Sequence, residues 1–151
     1  MKRLSLALVV VPVLLMADPE NPTIATLRAK AEQGVAGAQF NLAGLYARGY
    51  GVPKDLVVAV DWYRKSAEQG FGEAQFSLAM AYLNGDGVPR NEIEGLAWIE
   101  VGARTGGASL VRFRDKLEQQ LGPETTAAAR KRSEELHAVI EARKRAKADA
   151  R

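Results

Sequence analysis

Apolar residues recur at helical spacing in two stretches of the chain that match one another. One stretch runs from Ala38 to Gly70 and the other from Ala74 to Gly106, and each matching residue is displaced by 36 positions. In both stretches the pattern predicts a helix, a glycine-rich turn and a second helix. A fixed period of this size indicates stacked helix-turn-helix units.

The helices of each unit have recognisable starts. In the first unit, the pattern predicts helices from about Gly37 to Arg48 and from about Asp55 to Gln69. Asp55 and, in the second unit, Asn91 are the expected N-cap residues, because their side-chain oxygens can accept hydrogen bonds from backbone amides that the helix leaves unpaired. The sequence therefore predicts the same pair of helices twice.

The turns between these helices both contain a G-x-G sequence. They cover Gly49 to Pro53 in the first unit and Gly85 to Pro89 in the second. Neither G-x-G follows a strand, and neither continues to the lysine or the third glycine of a nucleotide-binding loop. We interpret both as interhelical turns whose glycines adopt positive φ.

The repeat pattern also divides the chain into segments. Residues 23–34 align with the second helix of a unit and form an N-terminal half repeat, followed by complete units over residues 35–70 and 71–106. Residues 107–121 lack the repeat elements and form a cap, so the repeat domain covers residues 18–121. After Gly122-Pro123, residues 122–151 are predicted to form a C-terminal capping helix with a basic tail.

Comparing the two copies separates packing residues from surface residues. On the first helix, six positions that are identical in both copies fall within an arc of about 140°, which we expect to be the packed face: Ala38, Gln39, Leu42, Ala43, Tyr46 and Gly49. Residues on the remaining arc are predicted to form the partner-binding surface: Asn41, Gly44, Leu45, Arg48, Ser77, Met80, Ala81 and Asn84. Met80 and Leu83 are expected to supply apolar contact to the partner.

The motif L-A-x-x-Y-x-x-G-x-G-V, with a tryptophan and a closing A-x-x-G further on, resembles the Sel-one-like repeat, a relative of the tetratricopeptide repeat. It is present from Leu42 to Gly70 and again from Leu78 to Gly106. The resemblance implies an all-α, right-handed solenoid whose concave surface binds a protein or peptide, often in the bacterial envelope. It implies no catalytic chemistry, cofactor or metal.

The first residues indicate export. Lys2 and Arg3 precede the apolar run from Leu4 to Met16, and Ala17 ends it before the sequence turns polar. This order is typical of a signal peptide over residues 1–17, and the run is shorter than the roughly 20 apolar residues of a membrane-spanning helix. We therefore expect a periplasmic or secreted protein, with an uncleaved membrane anchor as the alternative.

Composition and charge narrow the chemistry further. The chain has 151 residues, 47% of them apolar, carries a net charge of +3, and contains no cysteine, so disulfides and thiolate zinc sites are excluded. The basic clusters at residues 130–132 and 143–147 are interleaved with glutamates and are interpreted as a solvated helix face. We expect a monomer that binds no nucleic acid.

An enzymatic reading rests on Ser133, His137 and Glu141, which share one helix face at i,i+4 spacing. No strand-to-helix elbow accompanies them, and the S-x-x-K and K-T-G motifs of serine β-lactamases are missing. The sequence therefore predicts a non-enzymatic protein-interaction module or adaptor of the cell envelope. The alternatives are a β-lactamase-like or penicillin-binding hydrolase, as reported for some proteins with this repeat, and a membrane-anchored envelope scaffold.

Overall fold

The structure is a computed structural model that describes residues 21–150. These residues form helices without strands, so the predicted all-α repeat fold is confirmed. The helices are α1 Pro22–Glu32, α2 Ala36–Arg48, α3 Leu56–Ala67, α4 Gly72–Asn84, α5 Glu92–Ala103 and α6 Ala108–Asp149.

Each unit consists of two helices that pack against each other, α2 with α3 and α4 with α5. The predicted N-caps are confirmed: an Asp55 side-chain oxygen accepts from the Val58 amide at 3.0 Å, and an Asn91 side-chain oxygen accepts from the Glu94 amide at 3.0 Å. Helix α1 packs on α2 as the half repeat, and α6 packs on α5 at the other end. Consecutive helices therefore build a solenoid.

The turns lock neighbouring units together. All four G-x-G glycines have φ between 71° and 80°, as the sequence predicted. A Cβ added at Gly87 would lie 2.3 Å from the carbonyl oxygen of Leu56, because the second turn packs on the first residue of α3. Only glycine fits this position without moving the backbone.

The core contains apolar residues from each complete unit and two buried glutamines. Leu42 and Leu78 are fully buried, and so are Leu96 and Ile99 in α5. The Gln39 amide donates to the Ala31 carbonyl at 3.0 Å, and Gln75 donates to the Ala67 carbonyl at 3.2 Å. Each glutamine thereby attaches a first helix to the end of the helix before it.

Helix α6 is broken at Gly122, whose φ of 81° and ψ of 173° are not helical. We call residues 108–121 α6a and residues 123–149 α6b; the restart predicted at Gly122-Pro123 is confirmed. Helix α6b contacts α5 and the end of α3 through Leu136 and Ile140 and through ion pairs. Arg132 lies 2.7 Å from Glu94, and Arg143 lies 2.7 Å from Glu68.

Candidate functional site

An open groove of about 690 Å³ lies between α4, the end of α5 and α6a. Its lining is mostly apolar and includes four polar side chains. The lining residues are Phe40, Gly72, Glu73, Phe76, Ser77, Gly102, Thr105, Gly106, Ser109, Leu110 and Phe113. We call this surface the aromatic groove.

The aromatic groove exists because one side chain of the repeat is absent. The N-caps of α2, α4 and α6a are spaced by 36 residues and are Val35, Phe71 and Gly107. None of them makes a side-chain cap hydrogen bond. Phe71 packs over Phe40, with 5.3 Å between the ring centroids. Gly107, one unit later, has no ring to place over Phe76. Phe76 consequently remains 42% exposed.

The groove wall opposite Phe76 is supplied by the cap. The ring of Phe113 in α6a meets Phe76 edge to face, with 6.0 Å between centroids and 67° between planes. Leu110, one turn earlier, lies against Gly102 and Gly106. Since Phe40 packs against both Tyr63 and Phe71, one side of the groove is held by an aromatic cluster. The groove is thus a preformed apolar surface.

Polar groups also line the aromatic groove. Glu73, Ser77, Thr105 and Ser109 contribute a carboxylate and three hydroxyls to the lining. An apolar centre with a polar rim is the usual composition of a surface that binds a peptide or protein. The side chains available here can bind and orient a ligand through apolar contact and hydrogen bonds.

A second, smaller groove of about 290 Å³ continues from the first, since both are lined by Phe76 and Ser77. It extends along α4 to Met80 and includes Tyr63 of α3. Burial raises the pKa of the Tyr63 hydroxyl, and the Arg48 charge and the Ser77 hydroxyl partly oppose this shift. Arg48 and Ser77, both predicted from sequence, therefore lie near the same hydroxyl.

The predicted binding residues are divided by the structure into exposed and covered positions. Asn41, Arg48 and Asn84 are exposed, while Ser77 and Met80 are half-buried and line the second groove. The guanidinium of Arg48 lies 5.7 Å from the centroid of the Tyr50 ring. These five residues stay candidates for partner contact.

Three of the predicted binding residues need correction. Gly44 is buried, Ala81 is only 7% exposed, and Leu45 packs against the core formed with Ala38 and Leu42. They differ between the copies, yet their helix face turns toward neighbouring helices. Gly44 is therefore not a contact residue. Leu45 is partly buried, and Ala81 can offer a partner only the small area with which it lines the second groove.

A further difference between the copies has a packing cause. Ala47 becomes Leu83, and in the facing helix Ala59 becomes Gly95. A Cβ added at Gly95 would lie 2.6 Å from Leu83 Cγ, so the larger leucine depends on the smaller glycine. Leu83, which the sequence suggested as an apolar contact for a partner, is therefore used inside the second unit.

Phe76 and Phe113 are the site residues that sequence reasoning missed. Phe76 is identical to its counterpart Phe40 and belongs to neither the predicted packed face nor the predicted binding arc, and Phe113 lies in the predicted cap. The available signal was at Gly107, where the periodic position held by Val35 and Phe71 loses its side chain. The groove could have been predicted by comparing, for each repeat position, the residues that pack against it as well as the residue itself.

The residues of the enzymatic alternative do not assemble a site. Ser133 is buried, and its hydroxyl lies 2.8 Å from a Glu100 carboxylate oxygen and 2.8 Å from the Arg130 carbonyl oxygen. Ser133 is thus engaged with Glu100 and not with His137. Within residues 21–150, no three His, Asp or Glu side chains gather as potential metal ligands.

The basic clusters of α6b are largely engaged within the molecule. Arg130 lies 3.0 Å from Glu118, and Arg132 and Arg143 pair with glutamates of α5 and of the segment after α3. These ion pairs join α6b to the repeats and leave less positive charge free for a nucleic acid than the sequence indicates. Their side chains are partly exposed, so each pair contributes little by itself.

The predicted signal peptide, residues 1–17, lies outside the described residues. For the helices between residues 21 and 150, none combines the length and the apolarity that crossing a bilayer requires.

Comparison with known proteins supports the repeat assignment. The sequence profile of the Sel1 repeat, which is the Sel-one-like repeat, matches residues 36–71 and 72–106. A Sel1 repeat protein from Oxalobacter formigenes is similar in structure, with a TM-score of 0.59 and 34% sequence identity over 62% of this chain and 70% of that chain. No curated protein gives a significant match.

The chain is also similar to a protective antigen that is present in uropathogenic Escherichia coli strains and displays an SLR fold. The TM-score is 0.71 at 28% sequence identity, over 81% of this chain. The match covers only 27% of the antigen's chain, so the present protein spans about a quarter of it.

Proposed function

Because the chain belongs to the Sel1 repeat family, whose members are protein-interaction modules, we propose that it binds a protein or peptide through the aromatic groove. The bound segment lies along α4, from the aromatic groove into the second groove beside Met80. On this proposal the protein is an adaptor and its partner is an extended polypeptide segment.

The observation that carries the proposal is the exposure of Phe76 in a preformed groove. A large aromatic side chain that is 42% exposed leaves apolar area in water, and a partner that covers it gains free energy. Aromatic residues are also the most frequent dominant contributors to protein–protein affinity. The polar lining residues Glu73 and Ser109 can supply the orienting hydrogen bonds.

The cellular place that we propose is the bacterial envelope, as a soluble periplasmic or secreted protein. The support is the sequence of residues 1–17, with its basic start, apolar run and small residue at the end. Intact mass of the protein isolated from cells tests this directly, because cleavage removes the apolar run. A full-length mass with retention in the membrane fraction after a high-salt wash would favour an anchored scaffold instead.

The binding proposal is tested by crosslinking and pull-down from the periplasm with wild type and Phe76→Asp. The aspartate places a charge on the groove floor, so partner recovery should fall at least about tenfold. Val139→Asp is the matched control, because Val139 is 46% exposed on α6b, outside both grooves. Equal recovery of the same partner by wild type and Phe76→Asp, with both folded by circular dichroism, would refute the proposed site.

A further inference from the structure

At the aromatic groove, the chain lacks an aromatic side chain that it has at the corresponding position one repeat earlier. In the first unit, Phe71 comes from the start of the next helix and covers the ring of Phe40. In the second unit, Phe76 repeats Phe40, and Gly107 stands where Phe71 would repeat. Phe76 contacts Phe113 of α6a, but the groove lacks a ring in the place that Phe71 takes over Phe40.

We infer that the partner anchors itself with an aromatic side chain, which takes over Phe76 the place that Phe71 takes over Phe40. This inference rests on the proposed function and specifies the chemistry of the bound residue. The ring would lie at an angle to Phe76 and meet Phe113 on its other side. Tilted aromatic pairs at centroid distances of about 4.5–7 Å contribute more free energy than the burial of their apolar area alone. Both pairs that Phe40 forms within the chain have this geometry.

The space at Gly107 is open to such a ring. A Cβ added at Gly107 has no atom within 4 Å, whereas a Cβ at the neighbouring Gly106 would lie 2.8 Å from Leu110. The backbone of Gly107 has a φ of −72°, which any residue can adopt, so the glycine is not required by the turn. What glycine provides at this position is the absence of a side chain.

Residues 1–20 do not supply the ring, because they contain no Phe, Tyr or Trp. The largest exposure of an aromatic side chain in the described residues is that of Tyr50, at 63%. A second copy could in principle present Tyr50 to the groove. The test below therefore distinguishes a separate partner from self-association.

The experiment uses isotope-labelled full chain and three small probes followed by amide chemical shifts: N-acetyl-phenylalaninamide, N-acetyl-cyclohexylalaninamide and N-acetyl-alaninamide. The phenyl probe should shift the amides of Phe76, Gly107 and Ser109 and bind about threefold to tenfold more tightly than the cyclohexyl probe. The saturated ring has comparable size and greater apolarity but lacks the aromatic quadrupole, so a groove that selects only for apolar volume would prefer it.

Gly107→Phe should place the ring intramolecularly, abolish binding of the phenyl probe and raise the thermal midpoint. Gly107→Ala is the matched control and should still bind the probe. If Gly107→Phe does not fold, Phe76→Leu is used as the test variant instead. It keeps an apolar side chain at this position and should remove the preference for the phenyl over the cyclohexyl probe.

Equal or tighter binding of the cyclohexyl probe would overturn the aromatic anchor, and so would undiminished phenyl binding to folded Gly107→Phe. If wild type shows no preference for the phenyl probe and Gly107→Phe binds neither ring probe, the aromatic anchor is overturned, but the groove remains the binding site of the proposed function. Concentration-dependent self-association that Tyr50→Ala removes would identify a second copy as the occupant and refute the separate partner.

Discussion

Glu100 and Glu118 lie against each other in the places that Arg64 and Tyr82 occupy one unit earlier. The Arg64 guanidinium donates to the Tyr82 hydroxyl at 3.3 Å, and Arg28 donates to Tyr46 at 2.9 Å in the unit before. The cap thus replaces a favourable Arg–Tyr pair with two carboxyl groups. Arg130 of α6b lies 3.0 Å from Glu118 and 3.6 Å from Glu100, so the returning helix supplies the missing positive charge.

Glu100 gives the cap a pH-dependent stability. Burial raises its pKa above the usual 4.5, and the nearby Glu118 adds to the shift, while Ser133 and Arg130 oppose it. The folded state therefore binds more protons than the unfolded state between 4.5 and the raised pKa. The contribution of Glu100 to stability is complete below 4.5 and is lost as pH rises through the raised value.

Glu100→Gln should abolish this loss, because an amide does not titrate, and should raise the free energy of unfolding at neutral pH. Urea unfolding at a series of pH values from mildly acidic to mildly alkaline measures both effects. Glu134→Gln is the control, since Glu134 belongs to the same cluster but is 69% exposed. An unchanged pH slope in Glu100→Gln would show that other groups determine the dependence.

A second prediction concerns the buried glutamines. Gln75→Ala removes one of the two donors to the Ala67 carbonyl, which also accepts from the Gly70 amide at 2.9 Å, and it leaves a cavity in place of a side chain that is only 3% exposed. The loss of unfolding free energy should be about 1–3 kcal/mol. Denaturant unfolding measures it, and Gln120→Ala, on the exposed side of α6a, should change stability by less than about 0.5 kcal/mol. A neutral Gln75→Ala variant would contradict the attachment role.

The pair Leu83 and Gly95 allows a double-mutant cycle. Gly95→Ala alone forces the new Cβ toward Leu83 and the Ala79 carbonyl and should cost about 1–3 kcal/mol. Leu83→Ala alone leaves a cavity. The double variant recreates the Ala47 and Ala59 combination of the first unit and should be more stable than the sum of the single effects predicts. Additive effects within about 0.5 kcal/mol would show that the two positions are independent.

These cases show why the sequence predicted the fold better than the site. The repeat period, the N-caps Asp55 and Asn91 and the turns are local signals, and the structure confirms them. The binding surface was inferred from differences between copies, but Leu83 differs because it fills the space of Gly95. Conversely, Phe76 is identical to Phe40 and still exposed, because its cover is missing at a position 31 residues away. Both effects depend on pairs of residues from different helices, so a comparison of single positions does not predict them.

Arg48 is the sequence-predicted residue whose role can now be tested most cleanly. Its side chain is exposed, and no carboxylate among residues 21–150 lies within ion-pair distance of it, while its charge reaches the Tyr63 hydroxyl at the second groove. An uncompensated charge beside a binding surface changes mainly the association rate of a charged partner. Arg48→Glu should therefore leave thermal stability almost unchanged and alter the salt dependence of partner binding.

The comparison for Arg48→Glu is Arg145→Glu, which makes the same change of net charge on the exposed end of α6b, away from both grooves. Association rates with the recovered partner, measured at low and at high salt, should differ severalfold between the two variants at low salt and converge at high salt, because screening shortens the range of the charge. Identical rates at low salt would mean that the bound segment does not pass Arg48, and would confine the contact to the aromatic groove around Phe76.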